Sequence, residues 1–448
     1  MALADSASGS AIHHRPAELL QELIRFDTTN PPGNERECIS YIDGLLRDAG
    51  IETTIRAKDP DRPNLVARIA GAGAAPPLLL YGHVDVVTTE KQEWTHPPFE
   101  AKLVDGWIWG RGALDMKGGV AMMLSAFLRT HEDASPPPGD IIFCALADEE
   151  GFGGYGAGFM AEEHPELFAG VKHAIGEFGG FALEMGSRRF YPIQVAEKQV
   201  CGIRLRMRGA GGHGAVPVRG GAMSELAQAL ERIDRKRLPV HITPVVRDMC
   251  RAISEASPLP VRIALRLLLM PSLTNRLLDL LGSRGKELDP LLHNTVSPTM
   301  VRASDKVNVI PSEVSVVCDG RLLPGFEPED LVTELRALLP KNVEIEVTLH
   351  QPGPPTADMD IYEQLGGVLR ELDPQGIPIP LLMAGVTDAR LFARLGIQTY
   401  GFTPMNLPPD FSFWTTVHNA DERVPATAIE FGTEAIHRAI NRYGRAGA

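Results

Sequence analysis

Cysteine is scarce in this chain, and its spacing is irregular. Five cysteines occur among 448 residues, and none of them forms a C-x-x-C pair. Disulfide frameworks favour even numbers of cysteines, and thiolate zinc sites favour closely spaced pairs. The sequence therefore argues against a disulfide-stabilised scaffold and against a zinc site built from thiolates.

Positive charge and long apolar runs are also in short supply. Lys and Arg number 44 against 57 Asp and Glu, for a formal net charge of −13, which argues against nucleic acid or an anionic membrane as partner. Residues 264–273 form an apolar stretch, but Arg266 and Pro271 interrupt it, so it is too short to span a bilayer. Residues 1–14 contain no apolar core of a secretory signal. We therefore expect a cytoplasmic protein.

The length and the order of patterns predict more than one domain. A chain of 448 residues exceeds the size of one ordinary core. Strand and helix patterns alternate over residues 1–195 and again over residues 352–448, which predicts a layered, mainly parallel α/β fold. Between them, residues 196–351 read strand–helix–strand–strand–helix–strand, a compact, ferredoxin-like α+β unit, with residues 239–292 as a helical insertion.

An apolar strand over residues 78–85 ends in His83 and Asp85. Ligands of open α/β sheets gather at the carboxyl ends of such strands. Residues two apart on a strand share a face, and a histidine held by a carboxylate is a common metal-ligand arrangement. A buried structural His–Asp pair explains the same two residues equally well.

Further carboxylates follow glycine-rich turns and strand ends. Asp115 lies in a turn with two glycines before it and two after Lys117, just ahead of a helix, where a helix cap is the alternative interpretation. A buried strand over residues 141–147 ends in three consecutive acids, of which Glu149 and Glu150 are the second and third. Such a run is costly unless a cation or a proton compensates it. A solvated turn is the alternative, but it fits the apolar strand poorly.

Two more polar residues complete the set. Glu177 ends a third strand-like segment, and His418 lies in the last polar turn of the chain. Together with His83, Asp115 and Glu150 they provide two histidines and three carboxylates, a donor set that suits zinc, manganese or cobalt. One carboxylate shared between two ions would fit a two-metal hydrolase.

The pattern resembles that of the M20 metallopeptidases, a family that includes carboxypeptidases, dipeptidases, aminoacylases and deacylases of related type. The motifs occur in the family's order across most of the chain. They are Gly82-His83-Val84-Asp85-Val86, Gly110-Arg111-Gly112 with Asp115-Met116-Lys117-Gly118, Asp148-Glu149-Glu150, Gly212-His213, Asn308-Val309-Ile310-Pro311 and His418-Asn419.

The resemblance implies a role for each candidate ligand. Asp115 would bridge two Zn²⁺ ions, with Co²⁺ or Mn²⁺ as substitutes. One ion would also take Glu150 and His418. The other ion would also take His83 and Glu177.

The resemblance also implies the residues that act around the metals. Glu149 would be the general base that activates the water between the metals, and Asp85 would orient His83. The peptide bond after the bridging aspartate is typically cis in the family, so we expect a cis Asp115–Met116 bond.

Residues 196–351 resemble the family's lid, which often supports homodimerisation, whereas residues 1–195 and 352–448 resemble its catalytic domain. His213 would steady the developing oxyanion, although an ordinary loop histidine remains an alternative. Asn308 and Arg321 would bind the carbonyl or carboxylate of the substrate. A surface ion pair explains Arg321 almost as well.

Gly385 and Thr387 fall in a substrate loop that usually reads Gly-Gly-Thr/Ser-Asp-Ala, in which Val386 here replaces the second glycine. We therefore expect a di-zinc hydrolase that cleaves an amide or peptide bond of a small peptide or N-acyl amino acid. The motifs do not separate a carboxypeptidase from an N-acyl amino acid deacylase or a dipeptidase. The long insertion at residues 239–292 resembles that of the carboxypeptidase and aminoacylase branches. A family member without catalysis that binds a ligand is an alternative of another class.

Overall fold

The computed structural model describes residues 11–354 and 356–445. The expectation that residues 1–14 contain no secretory signal falls mostly on residues 1–10, which lie outside the described residues. Among the described helices, none combines the length and the apolar character needed to cross a membrane. The chain divides into two compact units: unit 2 comprises Ala196–Ala357 and Leu382–Val386, and unit 1 comprises the remainder.

The first stretch of unit 1 alternates helices and strands. Its helices are α1 (Pro16–Ile24), α2 (Arg36–Asp48), α3 (Lys117–Glu132) and α4 (Ala157–Glu163). Its strands are β1 (Thr53–Arg56), β2 (Asn64–Ile69), β3 (Leu78–His83), β4 (Lys102–Val104), β5 (Trp107–Trp109), β6 (Ile141–Leu146), β7 (His173–Gly176), β8 (Leu183–Met185) and β9 (Arg188–Glu197).

Unit 2 follows as a sheet with helices. Its strands are β10 (Gln199–Arg208), β11 (Gly212–His213), β12 (Thr295–Arg302), β13 (Val309–Ile310), β14 (Glu313–Leu322) and β15 (Glu344–Gln351). Its helices are α5 (Ala222–Arg235), α6 (Pro244–Ala256), α7 (Leu259–Leu268), α8 (Pro271–Leu281), α9 (Ser283–Leu292) and α10 (Pro328–Leu338).

The chain then returns to unit 1. Its last helices are α11 (Tyr362–Leu372), α12 (Ala389–Phe392), α13 (Phe413–Thr416) and α14 (Ala426–Arg442). Its last strands are β16 (Gly376–Met383), β17 (Gln398–Gly401) and β18 (Arg423–Pro425).

The large sheet of unit 1 runs β1-β2-β6-β3-β7-β17-β9-β16, with β8 paired to β9. The pairs β6–β3, β3–β7 and β7–β17 are parallel. The pairs β1–β2, β2–β6 and β17–β9 are antiparallel. The layered α/β fold is thus confirmed, but the sheet is mixed rather than mainly parallel, because β1, β2 and β9 pair antiparallel outside the four central parallel strands.

The main sheet of unit 2 runs β12-β14-β10-β15. Together with α5 and α10, these strands give the predicted ferredoxin-like arrangement, and α6 to α9 form the predicted helical insertion. In β10 the buried residues alternate, as the alternation of apolar residues in its sequence predicts: Cys201, Ile203, Leu205 and Met207 face a core that also contains residues of β14, α5 and α10. The strand starts at Gln199 rather than at the predicted residue 196, because residues 188–197 form β9.

Candidate metal and catalytic site

Three neighbouring strand ends bring the first group of candidate residues together. All six residues of β3 and of β6 are buried. The strands run parallel in register, with His83 opposite Leu146, and β3 also pairs in parallel with β7. Their carboxyl ends therefore meet at one edge of the sheet. His83, the acids that follow β6 and Glu177 after β7 all lie at that edge.

A small second sheet positions Asp115 and His418. Strand β18 pairs with β5 so that Arg423 lies opposite Trp109. This pairing places the turn that contains His418 beside the glycine-rich turn that leads to Asp115. A Cβ on Gly118 would lie 2.2 Å from the carbonyl oxygen of Ala113, so the turn requires glycine there. The Asp115–Met116 bond is cis, as expected.

The carboxylate of Asp115 lies between the two histidines. Its Oδ1 is 3.2 Å from Nε2 of His83, and its Oδ2 is 3.0 Å from Nε2 of His418. Its two oxygens thus face different histidines. The N-cap of α3 is Met116 rather than Asp115, and no side-chain capping hydrogen bond forms there, so the helix-cap interpretation of Asp115 has no support.

A glutamate joins each histidine. Oε2 of Glu177 lies 3.4 Å from Nε2 of His83, and Oε1 of Glu150 lies 3.3 Å from Nε2 of His418. Oε1 of Glu177 is buried and has no hydrogen-bond partner among the described residues. A buried carboxylate oxygen without a donor is costly unless a cation or a proton satisfies it. These five side chains therefore fit a pair of divalent cations that share Asp115.

Neighbouring carboxylates strongly shift the pKa values of both histidines in this cluster. Hydrogen bonds to Asp115 and Glu150 raise the pKa of His418 to about 10. Burial disfavours the charged form of His83, yet hydrogen bonds to its carboxylate neighbours raise its pKa well above the usual value. Metal-binding imidazoles must be neutral, so cations would replace the protons on both histidines.

Glu149 reaches the same space without belonging to either histidine–carboxylate pair. One of its oxygens lies within 4.8 Å of ligand atoms of both His83 and Glu177. Burial, followed by the nearby Glu177 charge, raises the pKa of Glu149 well above its usual value. A carboxyl group with a raised pKa beside a metal cluster is suited to accept and return a proton near neutral pH.

Asp85 supports both His83 and the acidic turn. Nδ1 of His83 lies 3.0 Å from the carbonyl oxygen of Asp85 and 3.4 Å from its Oδ1. The Asp85 carboxylate also accepts the backbone N–H groups of Glu149 and Glu150, at 3.1 and 3.2 Å. Asp85 therefore fixes both the ring of His83 and the turn that contains Glu149 and Glu150.

Asn30 is a positioning residue that the sequence pattern does not reveal. Its Nδ2 donates to Oδ2 of Asp85 at 2.9 Å and to Oδ1 of Asp148 at 3.1 Å. The same Asp148 oxygen accepts from Nη1 of Arg62 at 2.8 Å, and Arg62 also pairs with the buried Glu35. Residues 30–33 read Asn-Pro-Pro-Gly, a run that is typical of a turn that ends a helix, and no local signal marks the side chain of Asn30.

The buried ion pair of Arg111 and Glu422, which the sequence did not indicate, supports the segments of Asp115 and His418. Glu422 is fully buried, and its Oε1 accepts the backbone N–H of Leu114 at 2.7 Å and of Asp115 at 3.2 Å. Its other oxygen accepts from Nη1 of the buried Arg111 at 2.6 Å. Nη2 of Arg111 donates to the carbonyl oxygen of His418 at 3.3 Å. The pair thus holds the backbone of both Asp115 and His418.

The predicted oxyanion residue His213 and the predicted substrate-binding residue Asn308 lie together in unit 2. Strand β11 pairs with β13 so that His213 lies opposite Val309. The backbone N–H of Gly214 donates to the carbonyl oxygen of Asn308 at 2.8 Å, and both His213 and Asn308 are exposed. Nδ1 of His213 accepts the N–H of Ala215 at 3.1 Å, which leaves Nε2 as the outward ring nitrogen.

The remaining predicted substrate residues are engaged locally. Nε and Nη2 of Arg321 donate to the two carboxylate oxygens of Asp319 at 2.7 and 3.0 Å, which is the ion pair that the sequence left open. Gly385 lies in unit 2, whereas Thr387 lies in unit 1 and is buried. The Thr387 hydroxyl accepts the N–H of Ala389 at 3.1 Å.

Known proteins share both the sequence pattern and the fold. The sequence profile of Peptidase family M20/M25/M40 matches residues 79–442. Probable carboxypeptidase S-like 2 from Dictyostelium discoideum is 28% identical over 366 residues, which cover 78% of this chain and 68% of that protein. N-fatty-acyl-amino acid synthase/hydrolase PM20D1 from Homo sapiens is 27% identical over 376 residues, which cover 81% of this chain and 73% of that protein.

Among solved structures, an M20 family metallo-carboxypeptidase, Sso-CP2 from Sulfolobus solfataricus, superposes with a TM-score of 0.68 and 18% sequence identity. The match covers 96% of this chain and 99% of that chain. At this identity the likeness demonstrates a shared fold.

Proposed function

The chain belongs to peptidase family M20/M25/M40, and from that premise we propose that it is a di-zinc hydrolase that cleaves an amide or peptide bond of a small peptide or N-acyl amino acid. One observation carries the proposal: the two oxygens of Asp115 face Nε2 of His83 and Nε2 of His418 separately, at 3.2 and 3.0 Å. A carboxylate shared in this way is the typical centre of a two-metal hydrolase.

The proposed metal ligands divide into two sets around Asp115. One ion would take Oδ1 of Asp115 with His83 and Glu177. The other would take Oδ2 of Asp115 with His418 and Glu150. Nitrogen and oxygen donors without thiolate suit Zn²⁺, with Co²⁺ or Mn²⁺ as substitutes.

Bound divalent ions would supply an acidified water and polarise the scissile carbonyl. Glu149 would take the proton from the attacking water and later return it to the leaving amine. Its raised pKa supports this role, since the group must hold the proton between the two transfers. Asp85 and Asn30 would keep the Glu149 turn beside His83 through the hydrogen bonds described above.

We propose that unit 1 is the catalytic domain and that unit 2 is the lid. His213 would stabilise the developing oxyanion through Nε2, and Asn308 would bind the substrate carbonyl. Their joint placement across the β11–β13 pair supports a common role. Arg321 would have to exchange Asp319 for a substrate carboxylate, while Gly385 and Thr387 would shape the substrate loop.

We propose three closely related alternatives for the class of substrate. The relative named as a carboxypeptidase supports cleavage of a C-terminal residue. The relative named as an N-fatty-acyl-amino acid synthase/hydrolase supports an N-acyl amino acid deacylase. A dipeptidase uses the same metals and remains the third candidate.

Assembly and location are proposed on separate grounds. A homodimer through unit 2 is supported by its edge strand β12, where Met300 and Val301 are about half exposed. A cytoplasmic location is supported by the five cysteines, which are all buried and unpaired, as a reducing compartment would keep them. Analytical ultracentrifugation tests the first proposal, and localisation of the tagged chain tests the second.

The test of function combines turnover with metal content. Metal-reconstituted protein should hydrolyse members of a panel of dipeptides and N-acyl amino acids. Glu149→Ala should keep its metal and lose most turnover, whereas Glu163→Ala, an exposed glutamate of α4, should keep both. Full activity of Glu149→Ala would remove it as the base. Absence of bound zinc together with absence of hydrolysis would favour a ligand-binding member without catalysis.

A further inference from the structure

An aromatic residue in an unusual conformation follows one proposed metal ligand. Phe178, directly after Glu177, has a φ of 68°. A bulky side chain in the left-handed region is an outlier, and such residues cluster at ligand-binding sites, where the surrounding structure maintains them. Glycine would adopt this φ without strain, so a phenylalanine at position 178 carries a conformational cost that glycine would not.

The ring of Phe178 packs into an aromatic cluster that reaches the segment before His418. Its centroid lies 5.0 Å from the ring of Trp414 and 5.8 Å from that of Phe181. Phe181 in turn stacks on Phe413 at 4.0 Å, and both of these rings are buried. The buried pair is a rigid base that fixes Phe178 and Trp414 against each other.

Trp414 is an exposed residue of α13, the short helix that precedes His418. It is 54% exposed and lies four residues before His418, whose side chain is 48% exposed. Phe178 and Trp414 therefore link the segment of Glu177 to the segment of His418 with an apolar surface. Exposed tryptophan next to convergent polar groups is typical of a binding pocket that accepts an apolar group.

We propose that Phe178 and Trp414 form a subsite for an apolar group of the substrate. The preferred substrates would carry an aliphatic or aromatic group next to the scissile amide, rather than acetyl and glycyl groups alone. The inference rests on the proposed hydrolase function and specifies its substrate class. The rings of Phe178 and Trp414 would bind the substrate and would take no part in the cleavage of its amide bond.

Two substrate series test this subsite with metal-reconstituted enzyme. One lengthens the acyl group from acetyl to octanoyl on a fixed amino acid; the other changes the amino acid from glycine to leucine and phenylalanine under a fixed acetyl group. The value of kcat/KM should rise at least tenfold across one of the series, and the series that rises locates the apolar group on the acyl or the amine side. Trp414→Ala should flatten that rise while turnover of acetylglycine remains measurable.

Matched variants distinguish a subsite at these two rings from a general effect of removing exposed apolar surface. Leu103→Ala, which removes a 55% exposed apolar residue of β4, should keep the full rise. Phe178→Gly, which removes the ring and relieves the left-handed strain, should flatten it as Trp414→Ala does.

Four outcomes would overturn the inference. A flat series in the parent enzyme, or a full rise in Trp414→Ala, would refute the subsite alone. A change of oligomeric state in Trp414→Ala with the rise intact would make the surface a subunit contact. No turnover of any substrate would refute the proposed function and the subsite with it.

Discussion

Replacing Asn30 tests whether residues that touch no proposed ligand side chain set the geometry of the site. In Asn30→Ala, Asp85 and Asp148 each lose the donor at 2.9 or 3.1 Å. Hydrogen bonds to charged groups contribute about 1.5–3 kcal/mol each. Both carboxylates keep other donors, among them the N–H of Glu149 and Nη1 of Arg62. The low end of the range therefore applies, and we expect a loss of about 3 kcal/mol for the two bonds.

The functional effect should be larger than the stability loss alone would produce. Partners that orient metal ligands typically change metal affinity or activity by about 10- to 100-fold when they are removed. Asn30→Ala should therefore show weaker metal binding and lower kcat, measured by metal titration and steady-state kinetics at a temperature where the variant is folded.

The control is Gln398→Ala in the same unit. Nε2 of Gln398 donates two hydrogen bonds, to the carbonyl oxygens of Val195 and Thr399 at 2.9 and 2.8 Å. The variant should lose stability in urea denaturation and keep metal affinity and kcat. If Asn30→Ala behaves in the same way, the positioning role of Asn30 is refuted.

Three further predictions follow from buried charges. Arg111→Met leaves the Glu422 carboxylate buried without its guanidinium, so we expect a stability loss of about 3–5 kcal/mol, and a loss below about 1 kcal/mol in chemical denaturation would contradict this expectation. The pKa of His418, about 10 without metal, requires proton release on metal binding at pH 7.5; calorimetry in two buffers of different ionisation enthalpy should show it, and equal release in His418→Ala would contradict it. Burial lowers the pKa of Lys198 from 10.5 to about 7, so between these values the unfolded chain binds a proton that the folded chain lacks. Stability should therefore rise more steeply with pH over this window in the parent protein than in Lys198→Met, and parallel curves would refute the shift.

The candidate ligands could be predicted because each follows a pattern that is local in sequence. Apolar runs that end abruptly in acids or histidine mark buried strands and their carboxyl ends, and β3, β6 and β7 do meet at one edge. The alternation of β10 likewise predicted which of its residues are buried.

The supporting residues could not be predicted, because their partners are remote in the chain. Arg111 and Glu422 meet only because β5 pairs with β18. Asn30 reaches Asp148 across 118 positions. Neither pairing leaves a periodic signal in the sequence.

Predictions of strand bounds were wrong where the pairing with neighbouring strands, rather than the local sequence pattern, decides where a strand begins and ends. No strand is predicted over residues 188–197, because Pro192 interrupts the run, yet β9 forms there and most of its residues are buried. The sequence pattern predicts a strand over residues 305–309, and this prediction is wrong for most of its length, since only Val309–Ile310 pairs with β11. The sequence pattern predicts a strand over residues 378–382, and β16 (Gly376–Met383) extends beyond both of these ends.

Metal stoichiometry tests the central claim, a two-metal site shared through Asp115, most directly. Zinc bound per chain should be measured by equilibrium dialysis and elemental analysis for the parent protein and for His83→Ala, His418→Ala and Asp115→Ala. We expect two equivalents in the parent, about one in each histidine variant, and loss of tight binding of both ions in Asp115→Ala. A parent protein that saturates at one equivalent with full turnover, or an Asp115→Ala variant that retains two, would contradict the shared site.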